Sequence, residues 1–170
     1  MRKIFKISVF VFAIVLATVA CKPIEEQVEI YGCEMESLES VNLGAGRLTF
    51  GTILTLDAKN ASCSDITLSK LDAKVYTRSG KNVATLQYKH RKGAVRPTLH
   101  HRSEESVNVP LSVSFDNPLS ALTLAAMTLD DYASKGYTVS YDCTLRAGLM
   151  AKRFRETNVP IDNLVKMLDK

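Results

Sequence analysis

Strict alternation of apolar and polar residues is the feature that most constrains this chain. In the segment ESVNVPLSVSFDN, every second position is apolar: Val107, Val109, Leu111, Val113 and Phe115. Successive side chains of a β-strand point to opposite faces, so this period predicts a strand with one buried face. Pro110 falls on the opposite parity and cannot donate to a ladder, which predicts a sheet edge or a bulge at that point.

Five further segments are predicted to be strands. RLTFGTILTLDAKN (47–60) and YTVSYDCTLRAG (137–148) each predict a strand, and a last strand is predicted through Phe154 and Val159. ITLSKLDAKVYT and VATLQYKH are joined by Ser79-Gly80-Lys81-Asn82, which predicts a hairpin with Gly80 in its turn. The residues expected to face inward are Leu48, Phe50, Leu54, Leu56, Ala58, Leu71, Ala73, Val75, Ala84, Leu86, Tyr88, Tyr137, Val139, Tyr141, Cys143 and Leu145.

One segment has a helical pattern instead. Asp116 or Asn117 can cap a helix, Pro118 suits its first turn and Gly136 ends it. Apolar residues recur at helical spacing at Leu119, Leu122, Ala126 and Leu129. With one helix of about residues 118–134, the fold class predicted is all-β: an immunoglobulin-like or fibronectin-like antiparallel β-sandwich with an inserted or edge-covering α-helix.

Residues 47–160 resemble the late embryogenesis abundant type 2 domain, the water-stress and hypersensitive-response type, as found in small bacterial lipoproteins. The resemblance lies in LTLDAKNASCSDITLSKLDAKVYTRSGKNVA, in VNVPLSVSFDN and in YTVSYDCTLRAG. The family typically has Asn-Pro where this sequence has Asn60-Ala61. The resemblance implies an immunoglobulin-like or fibronectin-like sandwich and implies no catalytic residues.

The N-terminus has the features of an export signal. Arg2, Lys3 and Lys6 precede an apolar run, Ile7 to Ala17, that is shorter than the roughly 20 residues of a stable membrane-spanning helix. Thr18-Val19-Ala20-Cys21 resembles the lipobox of bacterial lipoproteins. That resemblance implies removal of residues 1–20 as a signal peptide and acylation of Cys21. A secreted protein or an uncleaved anchor are the alternatives.

An acidic segment follows the predicted lipidation site. Residues 21–39 contain six glutamates and a single basic residue, Lys22. Like charges repel and extend a chain, so this segment is predicted to be a tether that holds the domain off the membrane. A single domain is predicted over residues 40–170. The expected location is the cell envelope, with a lipid anchor in a bacterial membrane, for which the outer membrane is the preferred prediction. The domain would face the periplasm or the cell surface.

The charge balance does not favour nucleic acid as a partner. The full chain carries 22 basic and 18 acidic side chains, and three of the basic groups belong to the predicted signal peptide. The mature chain would therefore carry a net charge of about +1. The apparent basicity is a feature of the export signal.

The sequence carries no motif that predicts an enzyme. G-x-S-x-G, H-E-x-x-H, S-x-x-K and Cys-x-x-Cys are all absent. We therefore expect no catalytic residues, no cofactor and no metal. Cys33, Cys63 and Cys143 permit at most one internal disulfide, and Cys143 is predicted first as a small core residue, with a disulfide partner and a catalytic thiol as the alternatives.

Basic residues are concentrated in KHRKGAVRPTLHHR. A candidate anion-binding or partner-binding loop is formed by Lys89, His90, Arg91, Lys92, Arg96 and Arg102. Its ligands would be lipid head groups, acidic glycans or an acidic protein. The alternative is a solvated loop that balances the acidic tether. Adjacent His100 and His101 on an extended chain face opposite sides, which disfavours a metal site.

The function predicted first is a membrane-anchored, non-enzymatic interaction or structural module of the cell envelope. Its expected partners are membrane lipid, through acylated Cys21, and an envelope protein. The alternative is an envelope carrier that binds a hydrophobic or anionic small ligand between the sheets or under the helix.

Overall fold

The computed structural model describes residues 28–88, 90, 93–127, 129–161 and 163. Within these residues the chain forms eight strands and two helices. The strands are β1 Val28–Gly44, β2 Arg47–Asn60, β3 Ile66–Tyr76, β4 Asn82–Tyr88, β5 Thr98–Leu99, β6 Ser103–Phe115, β7 Thr138–Ala147 and β8 Met150–Pro160. The helices, here α1 and α2, are Pro118–Ala126 and Leu129–Ser134.

The strands pair antiparallel in one curled sheet. Their order is β1-β2-β6-β4-β3-β7-β8, and the short β5 pairs with the start of β3. The inward faces of the long strands contribute to one apolar core. The predicted antiparallel all-β class is confirmed, and the ladder between β4 and β6 joins its two halves into a continuous sheet.

The predicted alternation matches the observed burial. On β2, Phe50, Leu54, Leu56 and Ala58 are buried, and on β6 the buried residues are Val109, Leu111, Val113 and Phe115. The ladder between β4 and β6 extends from Leu111 to Phe115. Pro110 lies one residue beyond the last β4 pairing, where β6 pairs with β2 alone, so β6 has a local edge at the predicted point and its ladder with β2 has no bulge there.

The helical region differs from the predicted single helix. Asn117 caps α1, because its Oδ1 accepts the Ser120 N–H at 2.7 Å, but the backbone becomes extended at Met127 and α2 begins separately. The predicted apolar stripe is wrong, since Leu119 and Leu122 are 73% and 60% exposed. The bond from the Asp116 N–H to the Val83 carbonyl fixes the entry into α1. The side chains that consequently face the sheet are Ala121, Leu124 and Met127.

The β-domain begins earlier than predicted. β1 starts at Val28 and pairs with β2 as far as Gly44 and Arg47, so the tether predicted over residues 21–39 is wrong from residue 28 onward. Glu29 and Glu34 are exposed on β1, and charged side chains of this kind are common on edge strands. Six residues, 22–27, separate the predicted lipidation site, Cys21, from β1.

The predicted signal peptide, residues 1–20, and Cys21 lie outside the described residues. Across the part of the chain that the structure covers, no helix combines the length and the apolar character needed to traverse a bilayer.

Candidate functional site

Aromatic side chains and the two helices close one end of the core, which we call the helix end. The rings of Phe50 and Phe115 lie 5.9 Å apart. Tyr132 is buried, donates its hydroxyl to the Leu124 carbonyl at 2.6 Å and meets the ring of Tyr137 edge-on at 5.4 Å. Burial raises the pKa of Tyr132. The helix end is therefore filled with large, mutually packed side chains.

The opposite end of the core, the open end, contains an apolar pocket of about 90 Å³. It lies between the end of the sheet formed by β1, β2 and β6 and the end formed by β3, β5 and β7. Every residue that lines it is apolar: Val28, Ile30, Leu56, Ala58, Ile66, Leu68, Pro97, Leu99, Val107, Val109 and Leu145. The pocket is suited to an aliphatic group and offers no lining side chain that could hydrogen-bond one.

The pocket results from a change of side-chain size along the same strands. β2 carries Phe50 at the helix end but Ala58 at the open end. β6, which runs antiparallel to it, carries Phe115 at the helix end and Val107 at the open end. Smaller side chains on both strands leave space between the two walls, because the backbones are held at the spacing of the same sheet.

Asn60 ties the loops of the open end together. Its side chain is fully buried, and its Oδ1 accepts the Ser62 N–H at 2.9 Å. Its Nδ2 donates to the Ser64 carbonyl at 2.9 Å and to the Leu99 carbonyl at 3.3 Å. The amide thus connects the loop after β2 to β5, which forms one wall of the pocket. The sequence contained a signal for this role, since Asn60 is a polar residue on the inward parity of β2.

The two adjacent histidines each pair with a carboxylate beside the pocket. Nδ1 of His100 lies 2.9 Å from Oε1 of Glu105, and Nδ1 of His101 lies 2.7 Å from Oδ1 of Asp65. Each carboxylate also accepts the backbone N–H of its histidine. The backbone bond from His100 lowers the pKa of Glu105, and the side-chain bond from His101 lowers the pKa of Asp65.

The His101–Asp65 pair fastens the turn before β6 to the loop after β2, whereas the His100–Glu105 pair closes the turn between β5 and β6. In the ranges that the structure describes, no three His, Cys, Asp or Glu side chains are grouped so as to hold a metal ion.

The candidate basic loop is only partly described. Lys89, Arg91 and Lys92 lie outside the described residues. Nδ1 of His90 lies 3.2 Å from the Tyr88 hydroxyl, Arg96 is exposed before β5, and Nη2 of Arg102 lies 3.7 Å from Sγ of Cys63. No hydrogen bond or ion pair joins these three described members of the loop, and Arg102 belongs to the surface of the open end.

Cys143 and Cys63 are both free. Cys143 is fully buried in the core, and burial raises its pKa to about 12. The thiolate is the reactive form of cysteine, so this thiol is protonated and unreactive at neutral pH. The prediction of Cys143 as a core residue is confirmed.

A charged row crosses the outer face of β3, β7 and β8, between the two ends. Asp142 accepts from Nε and Nη2 of Arg153 at 2.7 and 2.5 Å and from Nζ of Lys70 at 2.8 Å. Arg153, and then Lys70, hold the pKa of Asp142 well below its usual range. This row links three neighbouring strands and does not contact the pocket lining.

Comparison with known proteins adds similarity of structure but not of sequence. No protein-family model matches the chain, and no curated protein matches it. A protein from Archaeoglobus fulgidus is similar with a TM-score of 0.41 and 11% identity over 75% of this chain and 93% of that chain. A putative late embryogenesis abundant protein is similar with a TM-score of 0.30 and 9% identity, covering 89% and 88% of the two chains. No function follows from similarity at this level.

Proposed function

We propose that this protein is a cell-envelope lipoprotein, anchored to a bacterial membrane through acylated Cys21, whose β-domain binds the aliphatic part of a ligand at its open end and catalyses no reaction. The observation that carries the proposal is the pocket of about 90 Å³ with an entirely apolar lining. It supports the carrier hypothesis, and we propose that the ligand lies between the walls of the curled sheet, away from the helices.

The anchor is supported by the sequence around Cys21. A basic N-terminus, an apolar run too short to span a bilayer and Thr18-Val19-Ala20-Cys21 together match a lipoprotein signal. Acylation of one cysteine by several chains gives a stable attachment, whereas one chain gives marginal binding. The proposed location is the cell envelope, with the outer membrane as the preferred membrane. The domain would face the periplasm or the cell surface.

The size of the pocket limits what it can hold. An apolar cavity of about 150 Å³ stays dry and binds molecules of the size of benzene. A pocket of about 90 Å³ is therefore suited to a few methylene groups rather than to a whole lipid. We propose that the ligand inserts the end of an acyl or alkyl chain and leaves its polar group outside, beside the His100–Glu105 and His101–Asp65 pairs.

Two measurements test this function. Mass spectrometry of the native protein should find Cys21 acylated, and Cys21→Ala should move the protein from the membrane to the soluble fraction. Native mass spectrometry of the full chain with Cys21→Ala should then detect bound decanoate. Val107→Phe fills the pocket from a half-buried position and should abolish decanoate binding, while Leu122→Phe on the exposed face of α1 should preserve it. Equal binding by both variants would refute the pocket as the site.

A second candidate function is a protein-interaction module, which was the function predicted first. It is favoured by large apolar side chains exposed at the helix end: Val41, Leu43, Leu119 and Leu122. Cross-linking in intact cells through a C-terminal tag tests it, with Cys21→Ala as the mislocalised control. If this candidate is right, a reproducible envelope partner is captured by the native chain and lost with Leu119→Ser and Leu122→Ser, whereas Val107→Phe retains it.

A further inference from the structure

We propose that the open end of the domain rests on the membrane that carries acylated Cys21, with the turn between β7 and β8 in contact with anionic phospholipid. This inference depends on the proposed anchor and adds an orientation and a lipid-binding surface to it. We call this the membrane-facing surface and define it by the residues Cys63, His101, Arg102, Arg146, Leu149 and Met150.

The first argument is the length of the chain between the anchor and the sheet. Residues 21–27 could span at most about 25 Å when fully extended. Val28 begins β1, pairs with Asn60 at the end of β2 and lines the pocket. The anchor therefore connects to the open end, and the short connection keeps that end near the bilayer.

The second argument is that the loops of the open end form one surface. His101 in the turn before β6 bonds Asp65 in the loop after β2, and Arg102 lies beside Cys63 of the same loop. A Cβ added at Gly148, in the turn between β7 and β8, would lie 3.9 Å from Oγ of Ser64. The three connections are therefore adjacent to one another, and the turn that carries Leu149 belongs to the same face as Arg102.

The third argument is the composition of the turn itself. Leu149 is fully exposed and Met150 is 76% exposed. Ala147 pairs with Met150, so the turn has two central residues, and Gly148 adopts a φ of 58° that favours glycine. A tight turn thus holds a large apolar side chain at the tip, where it can bury its surface at the boundary between lipid head groups and acyl chains.

The fourth argument is the charge beside this apolar tip. Arg102 and Arg146 are exposed and form no salt bridge with any described carboxylate. The nearby carboxylates of Asp65 and Glu105 accept from histidine and backbone N–H groups, and that of Glu104 accepts from the Tyr31 hydroxyl. Exposed arginines next to an apolar tip are attracted to an anionic lipid surface. The pocket, which is lined by Val28, then lies next to the acyl chains of the same membrane.

The absence of tryptophan from the chain allows a direct test. Leu149→Trp and Leu119→Trp each introduce a single tryptophan, the first at the membrane-facing surface and the second at the helix end. Each purified lipoprotein is reconstituted into vesicles of phosphatidylethanolamine and phosphatidylglycerol in equal amounts, with or without bromine on the acyl chains. Bromine quenches tryptophan only at short range. We expect Trp fluorescence at position 149 to be quenched strongly and at position 119 to remain unchanged.

A charge reversal sharpens the test. Arg146→Glu in the Leu149→Trp protein should reduce the quenching by about half or more, because a favourable contact becomes a repulsive one. Arg47→Glu, at the first residue of β2 and at the helix end, is the matched control and should leave the quenching unchanged. Met150→Trp serves as a second reporter if Leu149→Trp lowers the melting temperature.

The outcomes separate this inference from the proposed function. Unmodified Cys21 in the mass spectrum would overturn the anchor and the orientation together. Acylated Cys21 with no quenching at positions 149 and 150, or with equal quenching at position 119, would overturn the orientation and leave the anchor intact. Quenching at 149 that is weakened by Arg146→Glu and not by Arg47→Glu supports the membrane-facing surface.

Discussion

The two ends of the core are built from the same strands but are closed in different ways. At the helix end, Phe50 and Phe115 pack against each other beneath two helices. At the open end, Ala58 and Val107 occupy β2 and β6, and about 90 Å³ of apolar space remains between the walls. The helix end is closed by large side chains, whereas the open end is closed by loops that hydrogen bonds hold together.

This difference indicates a division between stability and binding. Space that the protein leaves unfilled sacrifices packing energy, because its lining atoms lack partners on one side. A ligand that fills such space regains those contacts, so the open end is where an aliphatic group would stabilise the protein most. Substitutions at the two ends should therefore differ in how strongly they destabilise the fold and in whether they affect ligand binding.

The largest expected loss is at the helix end. Phe115→Ala should destabilise the protein by about 3–5 kcal/mol, because it removes a buried ring from a filled region. Val107→Ala removes two methyl groups from a half-buried side chain beside existing space and should cost about 1 kcal/mol. Urea unfolding of both variants measures the difference. Equal losses at the two positions would remove the distinction between a filled end and an open one.

A second pair tests which face of α1 belongs to the helix end. Leu124 is buried and Leu122 is 60% exposed. Leu124→Ala should cost about 2–4 kcal/mol, whereas Leu122→Ala should change stability by less than about 0.5 kcal/mol. Thermal unfolding followed by circular dichroism measures both. The reverse order would restore the helical stripe through Leu119 and Leu122.

An intermediate loss is expected from the buried amide at the open end. Asn60→Ala removes the side-chain partner of the Ser62 N–H and of the Leu99 carbonyl and one of two side-chain donors to the Ser64 carbonyl, and should cost about 1–3 kcal/mol. Hydrogen exchange should rise in the loop after β2 and leave the helix end unchanged. Asn108→Ala, at an exposed asparagine of β6, is the control and should be nearly neutral. Uniform loosening at both ends would contradict a local role for Asn60.

The smallest effect is expected midway between the ends and depends on pH. Arg153 holds the pKa of Asp142 below its unfolded value, so this carboxylate stabilises the fold above about pH 4, and the contribution is lost as the pH falls toward the folded pKa. Asp142→Asn should therefore cost up to about 1 kcal/mol at pH 7, a figure kept small because Arg153 is exposed to solvent. The difference from the native chain should shrink below pH 4 in urea titrations. A difference that grows in acid would reverse the sign of the interaction.

The strands could be predicted from the sequence because one physical signal dominates them. Burial of a single face fixes the parity of every long strand, which explains why the inward residues of β2, β6 and β7 were found. The same signal was absent from β1, whose glutamates suggested a tether, because an edge strand can keep charged side chains in water. The start of the domain at Val28 follows from pairing with β2, and sequence patterns do not reveal pairing partners.

The helix and the candidate site were harder to predict for a related reason. The connection from β6 determines which face of α1 packs against the sheet. The sequence alone does not distinguish a buried face with Leu119 and Leu122 from the observed one with Ala121 and Leu124. The pocket arises from residues on six strands that meet only in the folded sheet. The signal of this region in the sequence is Asn60, a polar residue at an inward position of β2.

The most direct test is to locate a bound alkyl chain by NMR. Decanoate labelled with ¹³C at its terminal methyl group is added to the full chain carrying Cys21→Ala, and nuclear Overhauser contacts are recorded to protein methyl groups. We expect contacts to Leu56, Val107 and Leu145, which line the pocket, and none to Leu119 or Leu122. Contacts confined to the helix-end leucines, or no saturable contacts at all, would contradict the open end as the ligand-binding site.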